Sequence, residues 1–190
     1  SCKPEFLEPL LEAGFRHLGI GIETARGEFR DQAKDFTNEK AYKVVRAVHA
    51  AGIDLGLNYI IGGPGETVES IGETWRMAEE NNSAFANFYP YMALPGSPAH
   101  AMAASLGYPL PERIGGPGWP GYAYYGRQCE PFYMGLRRVG EKEEFYFSDT
   151  LSPVEILALR EVVQQHYYLR PEYLRMIRLN PRFGEKAAMN

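Results

Sequence analysis

Three polar residues stand inside otherwise apolar, strand-like segments: Glu23, Asn58 and Asn87. A carboxylate so placed accepts hydrogen bonds from ribose hydroxyls or a ligand ammonium, and a carboxamide offers both donors and acceptors. Glycines share their faces. Gly19 and Gly21 lead up to Glu23 at period two, and Gly56 precedes Asn58. Glycine lets a flat ligand come close to the backbone. Glu23 also has a plainer reading, a salt bridge to nearby Arg26.

The alternation is one-sided. Leu18, Ile20 and Ile22 oppose His17, Gly19, Gly21 and Glu23; Ile53, Leu55, Leu57, Tyr59 and Ile61 oppose Asp54, Gly56, Asn58 and Ile60. Phe85, Asn87 and Tyr89 oppose Ala84, Ala86 and Phe88. Strands covered by helices on both sides are apolar on both faces. These strands fit a sheet with helices on one side and a ligand-bearing hollow on the other. The bland alternative is that the glycines relieve crowding in a tapered sheet and the polar groups pair with one another.

Ile60-Ile-Gly-Gly-Pro-Gly-Glu-Thr67 follows the second strand and opens a helix. No Lys follows its glycines, so it is not a P-loop, and the G-x-G-x-x-G spacing of dinucleotide sites is absent. Gly62 and Gly65 permit a sharp turn at the C-terminal end of a parallel strand, the end where βα folds place their chemistry, and Thr67 is suited to cap the helix. His17, His49, His100 and His166 have no metal-ligand spacing, and Cys2 and Cys129 cannot form a Cys-rich metal site or a disulfide framework.

The elements that must position these residues alternate. Residues 4–13 carry helical periodicity, ended by Gly14; a strand follows over 15–23. Thr37 caps a helix to about Ala51, closed by Gly52; strand 53–61, helix 68–81 and strand 84–89 come next. The segments around Gly14 and Gly52 repeat at an offset of 38 residues. Such alternation predicts βα units and a parallel sheet. Residues 108–130, rich in Gly, Pro and Tyr, read as a long structured loop, and 132–147 as a hairpin. Ser152-Pro-Val-Glu155 is a capping box launching a helix to about Tyr168, with Ile156, Leu159, Val163 and Tyr167 on one face. A short helix starts at Pro171.

The chain has 190 residues, 45% of them hydrophobic, and a formal net charge of −4 at pH 7. That balance gives no long-range attraction to nucleic acid or anionic lipid, no apolar run is long enough to span a membrane, and a cytoplasmic protein is expected.

The series Gly19-Ile-Gly-Ile-Glu-Thr24, Ala51-Gly-Ile53, Ile60-Ile-Gly-Gly-Pro-Gly-Glu-Thr67 and Leu94-Pro-Gly-Ser-Pro98 resembles the C-terminal half of a radical S-adenosylmethionine (radical SAM) enzyme. The stretch Tyr167-Tyr-Leu-Arg-Pro-Glu-Tyr-Leu174 is similar to the tail of the cobalamin-binding subgroup. The resemblance implies an α/β fold: the C-terminal half of a partial (βα)6, TIM-like barrel over residues 1–106, then a mostly helical extension over 107–190. It implies a [4Fe-4S] cluster, SAM and cobalamin as cofactors, a small-molecule substrate, and a flavodoxin- or ferredoxin-type reductant. Glu23 and Thr24 fall near the SAM ribose and amino acid moiety, Asn58, Ile60 and Gly62 against adenine, and Asn87 and Tyr89 beside adenine or substrate.

Departures from the family pattern are plain. C-x-x-x-C-x-x-C is absent, as are the first three βα units and D-x-H-x-x-G. The expectation is a fragment of a longer enzyme, inactive alone, whose intact form performs radical methylation or rearrangement of a small metabolite. The alternatives are a cluster-free TIM-barrel-type enzyme using Glu23 as base with Asp54, His17 or Tyr89 as acid, and a nucleoside-binding or scaffold domain.

Overall fold

The computed structural model describes residues 4–27, 36–91, 93, 96–107, 148 and 150–180. The loop expected over 108–130 and the hairpin over 132–147 lie outside them. A short 3-10 turn, Pro4–Phe6, leads into α1 (Leu7–Glu12). Then follow β1 (His17–Glu23), α2 (Asn38–Ala50), β2 (Asp54–Ile61), α3 (Val68–Asn81), β3 (Phe85–Pro90), α4 (Pro98–Ser105), α5 (Pro153–Leu169) and α6 (Pro171–Leu179). The three strands form one sheet in the order β1-β2-β3, with β1 parallel to β2.

The internal repeat has a physical basis. After α1, Gly14 N–H donates to Leu11 O and Phe15 N–H to Leu10 O; after α2, Gly52 N–H donates to His49 O and Ile53 N–H to Val48 O. Both are Schellman closures, and both glycines hold the positive φ the motif requires (+90° and +72°). Each closure delivers the chain into a strand, and Asp54 N–H donates to Arg16 O, which starts β2 beside β1.

The chain divides into two compact units. One comprises residues 1–59, 70–88 and 162–190; the other 60–69 and 89–161.

In the first unit, Ile22, Leu55, Leu57, Tyr59, Ala86 and Phe88 are buried, as the apolar sides of the strands predict. Ala41, Val45 and Val48 of α2 and Ile71, Thr74, Met77 and Ala78 of α3 supply the helical side. Tyr59 stacks on Phe88 with centroids 5.3 Å apart. Thr37 caps α2 as expected, its side chain accepting from Lys40 N–H at 3.2 Å.

β3 is the last strand of this described sheet, and backbone groups at and just before its start are met by side chains. The Tyr168 hydroxyl accepts from Ala86 N–H at 3.0 Å and donates to Ala86 O at 2.9 Å. Gln164 Nε2 donates to the same oxygen, Tyr173 Oη to Ala84 O, and Tyr167 Oη to Ser83 O at 2.6 Å. Burial pushes the Tyr167 hydroxyl up to about 12, so it stays a donor across ordinary pH. The aromatic tail thus has a structural task in this fold, the covering of a strand.

In the second unit the capping box at Ser152 is formed. Glu155 Oε2 accepts from Ser152 N–H at 2.8 Å and from its hydroxyl at 2.7 Å, and Glu155 N–H donates back to Ser152 Oγ. These bonds hold the Glu155 carboxyl below the usual range. A depressed carboxyl contributes stability above the unfolded-state pKa and loses it as pH falls through the folded value. Amide exchange at Ser152 and Glu155 should therefore accelerate, relative to the middle of α5, when the pH drops below the ordinary glutamate range. Glu155→Gln should abolish that pH dependence, and a profile identical in both proteins would refute the assignment.

Buried Ile156 and Leu157, with Leu151 beside them, form the apolar cluster of this unit. Leu157 takes the buried place expected of Leu159, which is half-buried. The helix α4 has no counterpart in the strand-and-helix pattern read from the sequence. Ser97 starts it by accepting from His100 N–H at 3.1 Å, with Pro98 at its first position.

Candidate functional site

The face predicted to carry a ligand is exposed at the β1 glycines, while Gly56 of β2 is buried. Along β1, His17, Gly19 and Gly21 are exposed while Ile22 is fully buried. The register pairs His17 with Asp54, Gly19 with Gly56 and Gly21 with Asn58, so these residues lie in rows across one face. At one end, His17 packs edge-on against Phe85 (5.5 Å, 76°), and its ring lies 3.1 Å from where a Gly56 Cβ would be. This is a packing role. Gly19 leaves open space, with nothing within 4 Å of an added Cβ.

At the other end of the strands, Gly21, Asn58 and Asn87 form a row. Asn87 Nδ2 donates to Asn58 Oδ1 at 2.9 Å. This pairing of polar groups was the bland alternative, and it coexists here with an open glycine floor. Both asparagines are only half-buried, which keeps the amides at the surface of the hollow.

Glu23 is set apart by its backbone. The β1–β2 register slips between Gly21 and Glu23, a bulge that places two β1 residues against one of β2. Glu23 itself has φ +71°, a conformation that costs a non-glycine residue on the order of 1–3 kcal/mol and tends to persist at functional sites. The turn folds the side chain back over the strand. A Cβ at Gly21 would lie only 2.7 Å from Glu23 Oε1, so the carboxylate lies over that glycine. Arg26 lies 3.8 Å from Glu73 of α3.

Thr24 is buried, and its hydroxyl lies 3.1 Å from Thr74 Oγ1 of α3 while accepting from Arg26 N–H. Ala25 N–H also donates to Thr74 Oγ1. Thr24 thereby ties the end of β1 to α3. Asp54 and His17, proposed as acid partners for Glu23, stand at the opposite ends of their strands, roughly 20 Å from it at strand rise. An acid–base pair of Glu23 with either is not formed.

In the second unit, Gly62 and Gly65 have φ +77° and +75°, as the turn after β2 requires. Gly62 is buried, and an added Cβ would meet three Ile156 side-chain carbons at 2.8–2.9 Å. The space beside this glycine is therefore taken by the C-terminal helix. Glu66, 2% exposed, accepts from Gly63 N–H at 3.0 Å, and the Thr150 hydroxyl donates to Glu66 O. Sequence reasoning missed this buried carboxylate, although a Glu three residues beyond a glycine in a tight turn is placed to accept its N–H. Ile60 and Tyr89 are half-buried in the same unit.

Among the described residues no group of three or more His, Cys, Asp or Glu could hold a metal ion, and no helix is long and apolar enough to cross a membrane.

Residues 1–78 match the radical SAM superfamily. The chain is 33% identical over 103 residues to the threonylcarbamoyladenosine tRNA methylthiotransferase MtaB of Treponema pallidum (strain Nichols), covering 53% of this chain and 20% of that protein. It is 32% identical over 97 residues to the anaerobic magnesium-protoporphyrin IX monomethyl ester cyclase of Rubrivivax gelatinosus, covering 50% and 18%. The chain thus spans about a fifth of the length of these curated relatives. Its fold superposes on the radical SAM methyltransferase TsrM from Kitasatospora setae, solved with cobalamin and a [4Fe-4S] cluster (TM-score 0.59, 17% identity, 85% of this chain, 34% of that one). Against the same enzyme with tryptophan and aza-SAM the TM-score is 0.57 at 20% identity, covering 84% of this chain and 34% of that one. At these identities the likeness speaks for the fold: part of a radical SAM, TIM-barrel-like α/β architecture.

Proposed function

We propose that this chain, whose residues 1–78 match the radical SAM superfamily, carries in its glycine-floored face the part of a radical SAM enzyme that receives the nucleoside of SAM. The observation that carries this reading is the row Gly21–Asn58–Asn87 beside the bulged Glu23, on a sheet whose opposite face is closed by apolar packing. A ribose presents hydroxyl donors that suit the Glu23 carboxylate, and a purine presents a flat face with donors and acceptors at its edge, which suits carboxamides above a glycine floor. Thr24 is a positioning residue here, since its hydroxyl is engaged by Thr74. The resemblance also assigns Ile60, Gly62 and Tyr89 to cofactor binding, and Gly62 acts through the backbone turn it permits.

SAM supplies, when reductively cleaved, the 5′-deoxyadenosyl radical that abstracts a substrate hydrogen. The donor set of this chain fits the nucleoside but not the cluster, because the sequence contains only Cys2 and Cys129 and no C-x-x-x-C-x-x-C. It likewise contains no D-x-H-x-x-G for cobalamin, and no step is assigned to either group on these residues. We infer a portion of a longer enzyme that supplies the cluster elsewhere, with a small-molecule substrate, a low-potential reductant and a methylation or rearrangement reaction.

Titration of the chain with SAM and with adenosine, followed by amide chemical shifts, tests the nucleoside site. Saturable shifts should appear at Gly19, Gly21 and Asn58, and Glu23→Gln and Asn58→Leu should each weaken binding roughly tenfold, the loss of one or two hydrogen bonds to ligand. The reading fails if neither ligand binds, or if both variants bind as tightly as the parent. Shifts on this face caused by a sugar phosphate and not by adenosine would favour the cluster-free enzyme instead.

A further inference from the structure

The glycine floor of the first unit ends differently on its two sides. Gly19 and Gly56 are register partners in one row, yet Gly19 is exposed and Gly56 is buried. An added Cβ at Gly19 would meet nothing within 4 Å. At Gly56 it would meet Nε2 and Cε1 of His17 at 3.1 and 3.2 Å and Cβ of Phe85 at 3.8 Å. The atoms nearest this glycine thus belong to two side chains of the ligand face itself.

His17 reaches Gly56 from the row before it. Its register partner is Asp54, two residues short of Gly56, and its ring leans along the strands until it packs edge-on against Phe85. The centroids lie 5.5 Å apart at 76°, so the positive edge of one ring meets the negative face of the other, an arrangement aromatic pairs favour. His17 is exposed and Phe85 is 41% exposed. The pair stands at the surface of the hollow and not in the core.

From Glu23 toward the start of β1 the face carries no side chain at Gly21 or Gly19. On β2 and β3 it carries the bonded amides of Asn58 and Asn87, and then the rings over Gly56. Amides and rings are one row apart, two residues or roughly 7 Å at strand rise. A purine held by the amides, with its ribose at Glu23, directs the base edge remote from the sugar at His17 and Phe85.

We propose that His17 and Phe85 are specificity-determining residues of this face: the ring pair stops the hollow beyond Asn58 and Asn87, so that a purine nucleoside with an unsubstituted base edge is accepted and one with a bulky group there is excluded. This role rests on the nucleoside reading above. His17 performs it by the bulk of its ring and not by a proton, and loss of that ring would join the space over Gly56 to the open floor at Gly19.

The experiment is a calorimetric and NMR titration of the full chain with adenosine, 6-benzylaminopurine riboside and 5′-S-benzyl-5′-thioadenosine, the last carrying its bulk at the sugar end. The parent should bind 6-benzylaminopurine riboside roughly tenfold more weakly than adenosine, the penalty of overpacking at the rings. In His17→Ala and in Phe85→Ala that gap should narrow by about fivefold or more, with new shifts at Gly56, as a pocket relieved of a steric bar discriminates less. The gap for the 5′-S-benzyl compound should stay as in the parent. His17→Phe, which keeps a ring in place, should preserve the parent's discrimination. The proposal is overturned if the parent binds adenosine and 6-benzylaminopurine riboside equally, if neither alanine variant narrows the gap, or if both benzyl compounds gain alike, the mark of a general loosening. Should one alanine variant fail to fold, the other decides. In each of these failures, adenosine shifts at Gly21 and Asn58 leave the nucleoside site standing, whereas a parent that does not bind adenosine removes the site and the stop together.

Discussion

Gly62→Ala is expected to destabilise the protein by about 2–5 kcal/mol, among the largest effects of any single methyl group in this chain. Two independent costs meet at this position. The φ of +77° is open to glycine but costs an L-residue roughly 1–2 kcal/mol. The added Cβ would also lie 2.8–2.9 Å from Cγ1, Cγ2 and Cδ1 of Ile156, a residue with no exposed surface into which to retreat. Overpacking of this kind typically costs about 1–3 kcal/mol. A double-mutant cycle separates the two. Ile156→Ala alone should cost about 2–5 kcal/mol as a cavity mutation, but it removes every carbon in the clash. Gly62→Ala/Ile156→Ala should therefore be less destabilised than the sum of the singles by about 1–2 kcal/mol. Strict additivity in urea unfolding would show that Ile156 does not rest on Gly62.

The second large effect belongs to Arg170. Its Nε donates to Tyr167 O at 2.9 Å, Nη1 to Glu79 O at 3.0 Å and Nη2 to Asn82 Oδ1 at 3.1 Å, while the guanidinium carbon sits 4.2 Å from the Tyr167 ring centroid. The side chain is only 11% exposed, and Glu79 lies 3.7 Å away. One planar group thus caps carbonyls in two helices and covers an aromatic ring. Arg170→Ala should cost about 3 kcal/mol, since hydrogen bonds from a charged donor contribute roughly 1.5–3 kcal/mol each and do not add in full. Arg170→Lys should recover less than half, because a single ammonium cannot direct donors to three separated acceptors. Thermal unfolding distinguishes these outcomes. A lysine variant as stable as the parent would mean that charge alone matters.

The strands, their faces and both helix closures are legible in the sequence because each is local. Period-two alternation in Ile53–Ile61 and a glycine after a helix are properties of a few neighbouring residues. The Ser152–Glu155 box is legible for the same reason. The bulge at Glu23 is not, because a register slip arises only when β1 meets β2. Nor is the role of Tyr168, whose partner Ala86 lies 82 residues away. α4 escapes the pattern because half of Pro98–Ser105 is alanine and it shows no amphipathic stripe. At the candidate site, the residue types Glu23, Asn58 and Asn87 were readable. The engagement of Thr24 with Thr74 and the filling of the space beside Gly62 by Ile156 depend on residues 50 and 94 positions away, and no spacing rule reaches that far.

The hydroxyl of Tyr168 is both donor and acceptor to one residue of β3, which is what a neighbouring strand would be. With Gln164 and Tyr173 beside it, that margin offers an incoming peptide little to pair with. Recruitment of a foreign strand, exchange of strands between copies, and fibre-like stacking all begin at an unoccupied margin. On the β3 side, the C-terminal helices deny them that beginning, and loss of those helices would turn a finished border into a template.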